Sequence, residues 1–256
     1  MKRLRNTALV SILLPVYKSE KNISNCIKSL RSQTFKNFEV IAIDDNSSDN
    51  SYALLKAFAK KDKRIRAYKN KKRYGMAITL NRAAKRARGQ FVAFMNHNDT
   101  SSKDRINQQV RFLLGNPKVG GVGTQSNYIT KHGKQLGKSS FPQNHSEIQE
   151  TLLPSLSIQP ETVMLNKAVL PSDILKFTNN SYPLLYTEVF VKCIKYAAFA
   201  NLPRAYYFHR KTNFTTPGKL DILPSLVKLV VKSRALYDYR PSLRSLFLPF
   251  LTGQTS

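Results

Sequence analysis

The sequence predicts an α/β fold in which a mostly parallel sheet is flanked by helices, and three observations carry that expectation. Short apolar runs alternate with helix-periodic segments through residues 10–124, the pattern of strands joined by crossover helices. Two of the runs end abruptly in polar clusters, Asp44-Asp45-Asn46-Ser47-Ser48-Asp49 and Asn96-His97-Asn98-Asp99. An open α/β sheet keeps its ligands where its strands end. Finally, 256 residues with 41% hydrophobic side chains suffice to bury a full core.

Residues 10–15 read as a buried first strand, after which Ile23, Cys26, Ile27 and Leu30 recur at helical spacing. Residues 39–43 form the second strand, and the small polar residues after it can cap a helix carrying Tyr52, Leu55, Phe58 and Ala59. A third strand over 65–68 leads through 69–75 into a helix from Met76 to about Arg88, with Gly89 closing it. The fourth run, 91–95, precedes Asn96 to Asp99. A buried strand cannot carry four polar side chains without partners, so that cluster belongs in a loop at the sheet's carboxyl edge. A helix over 105–114 shows Ile106, Val110, Leu113 and Leu114 on one face and stops at Asn116-Pro117. The glycine-rich segment 119–124 reads as a strand close to a ligand or another backbone. Through 128–160 the polar composition leaves periodicity uninformative; a strand at 162–165 and a helix over about 183–199 follow.

With 42 Lys plus Arg against 15 Asp plus Glu, the formal charge of +27 creates a field for anions: phosphates, anionic lipid headgroups, nucleic acid or acidic glycans. The two cysteines, Cys26 and Cys193, follow no metal or disulfide spacing and fit a reducing compartment. Lys2, Arg3 and Arg5 precede an apolar run that contains Pro15 and lacks a small-residue cleavage site, so a secretory leader is not expected. No apolar stretch approaches the roughly eighteen residues that cross a bilayer. The expected location is cytoplasmic, with room for peripheral attachment to the inner face of the plasma membrane.

Several blocks in order carry a resemblance to a known family: Pro15-Val16-Tyr17, Ser29 to Phe35, Asn37-Phe38-Glu39, Ile43 to Ser47, Gly75, Leu80-Asn81-Arg82, Ala87-Arg88-Gly89 and Met95 to Asp99. Together they resemble the large family 2 glycosyltransferases. Looser spacing continues in Arg105 with Gln109, Asn116-Pro117, Gly121-Val122-Gly123, Thr162-Val163-Met164 and Asn201-Leu202-Pro203. The resemblance implies a GT-A fold, a nucleoside-diphosphate sugar donor, and transfer with inversion to an acceptor hydroxyl. It divides the chain into a glycosyltransferase domain over 1–215, with a nucleotide-sugar half at 8–124 and an acceptor half at 125–215, and a helical extension over 216–256. Nucleoside contacts fall on Pro15, Tyr17 and Asp45, with Asp44 beside them. Independently, a carboxylate at a strand's carboxyl end can accept from a base N–H or a ribose hydroxyl. Helix capping alone is the competing role for the two aspartates.

Two departures from the family pattern bear on chemistry. The family's Asp-x-Asp-Asp loop is matched by Asn96-His97-Asn98-Asp99, so two carboxylates expected to face ribose and metal are amides. Mn2+ and Mg2+ favour charged oxygen ligands; Asn98, Asp99 and His97 are the remaining candidate ligands, and Asn96 and Asn98 the candidate sugar-nucleotide contacts. Between Lys56 and Arg88 lie fourteen Lys or Arg and one acid, Asp62. Lys72, Arg73, Gly75 and Arg82 lie in the region where the family binds its sugar nucleotide, and one or more of the basic residues Lys69, Lys71, Lys72, Arg73 and Arg82 is expected to replace part of the missing positive charge. The second departure concerns the general base, an Asp that inverting members place near Leu185-Tyr186. Glu188 is the nearest carboxylate, although two helical residues turn about 200°, and an ion-paired surface role competes. His209-Arg210 matches a Tyr-Arg pair of the family and is a candidate for acceptor or phosphate contact, or for simple packing.

The C-terminal extension mixes apolar and basic residues. Leu223, Leu226, Val227, Val230 and Val231 run along one side, broken by Lys228, Lys232 and Arg234, and Arg240, Arg244, Leu246, Phe247, Leu248, Phe250 and Leu251 follow. This suits either an anionic membrane surface or a core-packing helix with a dimer contact. The leading function is sugar transfer in cell-surface or lipid-linked glycan synthesis, with a glycan or lipid-linked acceptor. A non-catalytic sugar-nucleotide or glycan-binding relative is the alternative. A nucleic-acid partner is disfavoured, because Phe58, Tyr68 and Tyr74 interleave only sparsely with the basic residues and no recognition motif accompanies them.

Overall fold

A computed structural model describes residues 9–153, 157–178, 182, 184–211 and 219–241, with side chains omitted for 219–223. In chain order the elements are β1 (Val10–Val16), α1 (Ile23–Arg31), β2 (Phe38–Asp44), α2 (Ser51–Lys61), β3 (Ile65–Lys69), α3 (Met76–Arg86), β4 (Phe91–Phe94), β5 (Thr100–Ser101) and α4 (Arg105–Gly115). Then come β6 (Val119–Ile129), β7 (Gln135–Lys138), α5 (His145–Thr151), β8 (Met164–Asn166), α6 (Leu184–Ile194), β9 (Ala198–Arg210) and α7 (Lys219–Tyr237). Among the described residues the strands form one sheet ordered β3-β2-β1-β4-β8-β6-β9-β5, with β7 paired to β6. The half built from β3, β2, β1 and β4 is parallel. Beyond β4 the sheet becomes mixed: β8 runs antiparallel to β4 and β6, while β6 and β9 run parallel.

Alternation along the strands builds two cores. Leu13, Ile41, Ile43, Val92 and Phe94 point to one face and pack against Ala77, Leu80 and Ala83 of α3 and the apolar side of α6. Ile12, Leu14, Val40, Ala42 and Ala93 point to the other and pack on Ile23, Ile27 and Leu30 of α1 and Ile106 and Val110 of α4. Neighbouring strand residues project to opposite faces, so a sheet buried on both sides reads as the continuous apolar runs seen in the sequence. At the amino edge, the Glu39 carboxylate accepts from the Ser11 hydroxyl at 2.7 Å, the Arg88 amide at 2.8 Å and the Arg66 guanidinium at 2.6 Å. The carboxyl edge is thereby the face left for ligands.

Several expectations are corrected. The helix expected to end at Gly89 stops at Arg86, with Ala87 already extended. Gly89 serves close backbone approach, since a Cβ there would lie 2.6 Å from the Leu9 carbonyl and 2.7 Å from the Ser11 amide. The glycines of β6 make room for side chains of β9: a Cβ on Gly121 would lie 2.5 Å from the Phe199 ring. The segment expected as strand from 162 begins with a 3-10 turn, Pro160–Thr162, before β8. The helix expected to reach Phe199 ends at Ile194, and Phe199 is in β9, a strand the sequence reading lacked. Pro203 sits where β9 slips register against β6, between Leu202 and Ala205, which is how a strand accommodates proline. In α7 the expected apolar side is split, because Leu226 and Leu229 are buried while Val227 and Val231 are exposed. Lys2, Arg3, Arg5, Pro183, Arg244, Leu246, Phe247, Leu248, Phe250, Leu251 and the side chains of Leu220 and Leu223 lie outside the described residues. No helix among the described residues is long and apolar enough to cross a membrane.

Candidate active site

Strands β1, β2 and β4 are adjacent and parallel, so their carboxyl ends lie on one rim and deliver Tyr17, Asp45 and the Asn96 to Asp99 loop to the same place. Pro15, Tyr17, Asp45, Arg73, Gly75 and His97, with Met76 and Thr79, line a cavity of about 130 Å³ there. Asp45 is its anchor. One carboxylate oxygen accepts from the Asn70 amide at 2.7 Å and the Tyr74 backbone N–H at 2.9 Å; the other accepts from the Gly75 N–H at 2.8 Å. An ionised carboxylate offers about four lone-pair positions, so Asp45 still has acceptor capacity toward the cavity. Its three bonds also shape the loop into α3, where Gly75 takes φ 87°, a conformation that favours glycine.

The capping role considered for the two aspartates is realised differently. Asp45 holds the entry to α3, not α2, while Asp44 accepts from the Ser47 N–H at 2.9 Å. The other Asp44 oxygen is buried and has no hydrogen-bond partner among the described residues. At the start of α2 it is Asp49 that accepts from the Ser51 N–H, at 3.1 Å.

Cations surround the mouth. The Arg73 guanidinium lies 4.2 Å from the Tyr17 ring centroid, and Arg82 lies 4.1 Å from that of Tyr74. Arg82 also donates to the Asn70 side-chain oxygen at 2.5 Å, which extends the chain Asp45–Asn70–Arg82 along the rim. Lys72 is exposed, its ammonium 5.6 Å from the Tyr74 ring. The face of Tyr17 is thus already shown to take a flat, delocalised group.

The Asn96 to Asp99 loop is occupied by the protein itself. Asp99, 1% exposed, accepts from the Tyr207 hydroxyl at 2.9 Å, His209 Nδ1 at 3.0 Å and the Arg210 N–H at 2.8 Å. The Asn98 side-chain oxygen accepts from Asn22 at 3.1 Å and Ser19 at 3.4 Å, and the Asn96 oxygen accepts from the Asn98 N–H at 2.9 Å. Burial pushes the His97 imidazole down to about 4, against the charges of Asp99 and Asp49. Its ring faces the cavity in the neutral form. Asn98, Asp99 and His97 were the expected metal ligands; Asp99 and Asn98 accept hydrogen bonds from the protein here, and the two amides offer dipoles where a hard divalent cation favours charged oxygens. No group of three or more His, Cys, Asp or Glu able to hold one occurs among the described residues.

Two further sets of candidate residues have partners within the protein. Glu188, expected as a base, accepts from the Thr178 hydroxyl at 2.8 Å and from Lys232 at 2.6 Å, with Lys192 at 3.5 Å. Burial alone would raise its pKa, but the Lys232 and Thr178 hydrogen bonds outweigh it and the carboxylate is held low. It ties α6 to α7. Arg210 spends its guanidinium on the carbonyls of Asn98 at 3.1 Å, Thr130 at 3.1 Å and Lys131 at 2.6 Å, so it locks the loop from below. Burial pulls the His209 imidazole down, but the Asp99 hydrogen bond and the Asp99 and Glu161 charges prevail and raise it.

Sequence reasoning missed Asn70, Tyr207 and Glu161. Glu161 is 1% exposed, accepts from the Gln159 amide at 2.6 Å, and is pushed up by burial. Arg105, fully buried, bridges the carbonyls of Phe94 and Glu161 at 2.9 Å each and so joins the end of β4 to the turn before β8. Nothing local marks Glu161, an isolated acid in a segment without periodicity. The spacing of Arg105 and Gln109, by contrast, was visible, and Gln109 donates to the carbonyls of Val122 and Thr162 at 2.7 Å.

Comparison with known proteins agrees with this geometry. The family described as Glycosyl transferase family 2 matches residues 11–170. An uncharacterized glycosyltransferase of Haemophilus influenzae is 26% identical over 93% of this chain and 91% of its own length. The UDP-Glc:alpha-D-GlcNAc-diphosphoundecaprenol beta-1,3-glucosyltransferase WfgD of Escherichia coli is 34% identical over 63% of this chain, a match spanning 62% of that protein. Residues 1–349 of TarS from S. aureus, solved in complex with UDP, share the fold at a TM-score of 0.74 and 21% identity, over 96% of this chain and 73% of that one. With well over half of its length inside the family match and its parallel strand ends meeting at one rim, the chain belongs to the family 2 glycosyltransferases, transferases of GT-A fold.

Proposed function

We propose that the protein takes a sugar from a uridine-diphosphate sugar and joins it to a hydroxyl of a growing, lipid-linked glycan. One observation carries the reading: Pro15, Tyr17, Asp45, Arg73 and His97, from four separate segments, line a single cavity at the carboxyl rim. The uracil ring stacks on Tyr17 in the place now taken by the Arg73 guanidinium, and an Asp45 lone pair accepts a base or ribose donor. The displaced Arg73 and the neighbouring Lys72 then face the diphosphate. The side-chain NH2 groups of Asn96 and Asn98 add neutral donors where carboxylates would repel it. As the acceptor hydroxyl oxygen bonds to the anomeric carbon and gives up its proton to solvent water, the bond from that carbon to the diphosphate breaks and its electron pair leaves on the phosphate oxygen. The cations stabilise that developing charge. A uridine donor and a polyprenol-linked acceptor are supported by the substrates named for WfgD and by the nucleotide bound to TarS.

Calorimetric titration with UDP and UDP-glucose tests the reading. Binding is expected to survive a chelator and to be lost in a Lys71→Ala, Lys72→Ala, Arg73→Ala triple variant. Loss with the chelator and survival in the variant would reverse it. A binding-only relative is the second reading, favoured by Glu188 and Asp99 both being held in hydrogen bonds and ion pairs. Turnover across a panel of donor sugars, with and without Mn2+, separates the two.

A further inference from the structure

We infer that the outward face of α7 seats the protein on an anionic lipid bilayer. The helix buries Leu226, Leu229 and Ser233, at 4%, 3% and 0% exposure, against the rest of the molecule. A residue turns 100° about a helix axis, so Pro224, Val227, Val231 and Ala235 fall together on the opposite side, and all four are exposed. Val227 is 54% and Val231 63% exposed. Lys228 and Arg234 are exposed on the two flanks of this stripe, and neither has an ion-pair partner among the described residues. Between Pro224 and Tyr237 there is no Asp or Glu. Few other large apolar side chains are exposed among the described residues, and two of them are nearby, Leu236 on α7 and Tyr196 after α6.

A modest apolar stripe bordered by cations is the pattern of a helix lying in the headgroup layer. Anionic headgroups supply the countercharge that Lys228 and Arg234 lack, within a Debye length of the surface. A second copy of the chain fits the stripe less well, because each copy carries +27 and the meeting surfaces would bring cation to cation. This docking is separate from the donor cavity and does not depend on the transfer reaction.

Vesicle flotation of the full chain tests it, comparing phosphatidylcholine alone with phosphatidylcholine containing about a third phosphatidylglycerol. Wild type is expected to float with the anionic vesicles only. A Val227→Ser, Val231→Ser variant, unchanged in charge, is expected to partition about tenfold more weakly. A Lys228→Ala, Arg234→Ala variant should weaken binding at low salt and converge on wild type at high salt. Equal flotation of wild type and the serine variant would overturn the inference, because general attraction of a basic protein would then explain the binding. Absence of flotation at low salt would overturn it as well. Light scattering and thermal melting complete the test. A dimer dispersed by the serine variant, or a melting point lowered by it in the absence of lipid, would show the stripe covered by protein and would also overturn it.

Discussion

The two polar clusters that end β2 and β4 begin alike in sequence and are used in opposite ways. Each follows a buried apolar strand, each sits at the carboxyl rim, and each contains an aspartate sealed from solvent, Asp45 at 5% exposure and Asp99 at 1%. Asp45 takes its donors from the loop 25 to 30 residues downstream and still borders the cavity. Asp99 takes three donors from β9, 108 to 111 residues away. The same chemical group, with three protein donors in each case, lines the cavity in one and ties the loop to β9 in the other. What decides is the distant segment that reaches it.

Substituting the two aspartates breaks or sharpens that comparison, and Asp99 should give the larger effect. In Asp99→Ala the Tyr207 hydroxyl, His209 and the Arg210 N–H lose their common acceptor, and a buried donor left without a partner costs about 1–3 kcal/mol. Urea unfolding should show that loss. An Asp99→Ala protein of unchanged stability that had lost Mn2+-dependent activity would restore Asp99 as a metal ligand and dissolve the contrast. Asp45→Ala should act on binding first: UDP affinity is expected to fall about a hundredfold, near 2.7 kcal/mol. Melting should shift less than in Asp99→Ala, because Tyr74 and Gly75 lie at the surface of the loop, where water can replace the lost acceptor. Equal stability losses in the two variants would mean that both aspartates are ties.

How much of this was legible in the sequence follows from the range of the interactions. The strands and helices through Thr124, β5 apart, show in local apolar runs and helical spacing because each element carries its own buried residues, and Tyr17 and Asp45 reach the rim simply by ending adjacent parallel strands. The fate of Asn96 to Asp99 was not legible, since it is set by Tyr207, His209 and Arg210 in a strand the sequence does not announce. In β9, Pro203 and the bulge beside it interrupt the two-residue alternation. Glu188 shows the same limit. Its spacing on α6 marks it as a nearby carboxylate, but Lys232 on α7 takes it up at 2.6 Å, a partner 44 residues on. Glu161 gave no signal because burial of a single acid leaves no periodic trace.

A smaller effect separates the two sides of the cavity mouth. Arg73 touches the rest of the protein chiefly through the Tyr17 ring at 4.2 Å, so Arg73→Ala should leave melting within about 0.5 kcal/mol of wild type. UDP affinity should drop about tenfold as the diphosphate loses one charge-assisted contact. A tenfold gain would show instead that Arg73 competes with the base for Tyr17, which would sharpen the picture of the ring as the stacking platform.

The mildest prediction concerns His97, the member of the closed loop that does face the cavity. An imidazole of ordinary pKa 6.5 is pushed by burial to about 4 in the folded protein, so between those values the unfolded chain binds a proton that the native state refuses. The stability tied to neutral His97 is present above pH 6.5 and is lost as pH falls through that window, levelling off below about 4. Melting points followed over the window should fall less in His97→Asn than in wild type. Because His97 is half-buried as a residue, the difference should be modest, and the protein's carboxylates will add a decline common to both proteins. Parallel curves would place His97 in water at all times, which would remove it from the cavity wall and leave the Asn96 to Asp99 loop closed along its whole length.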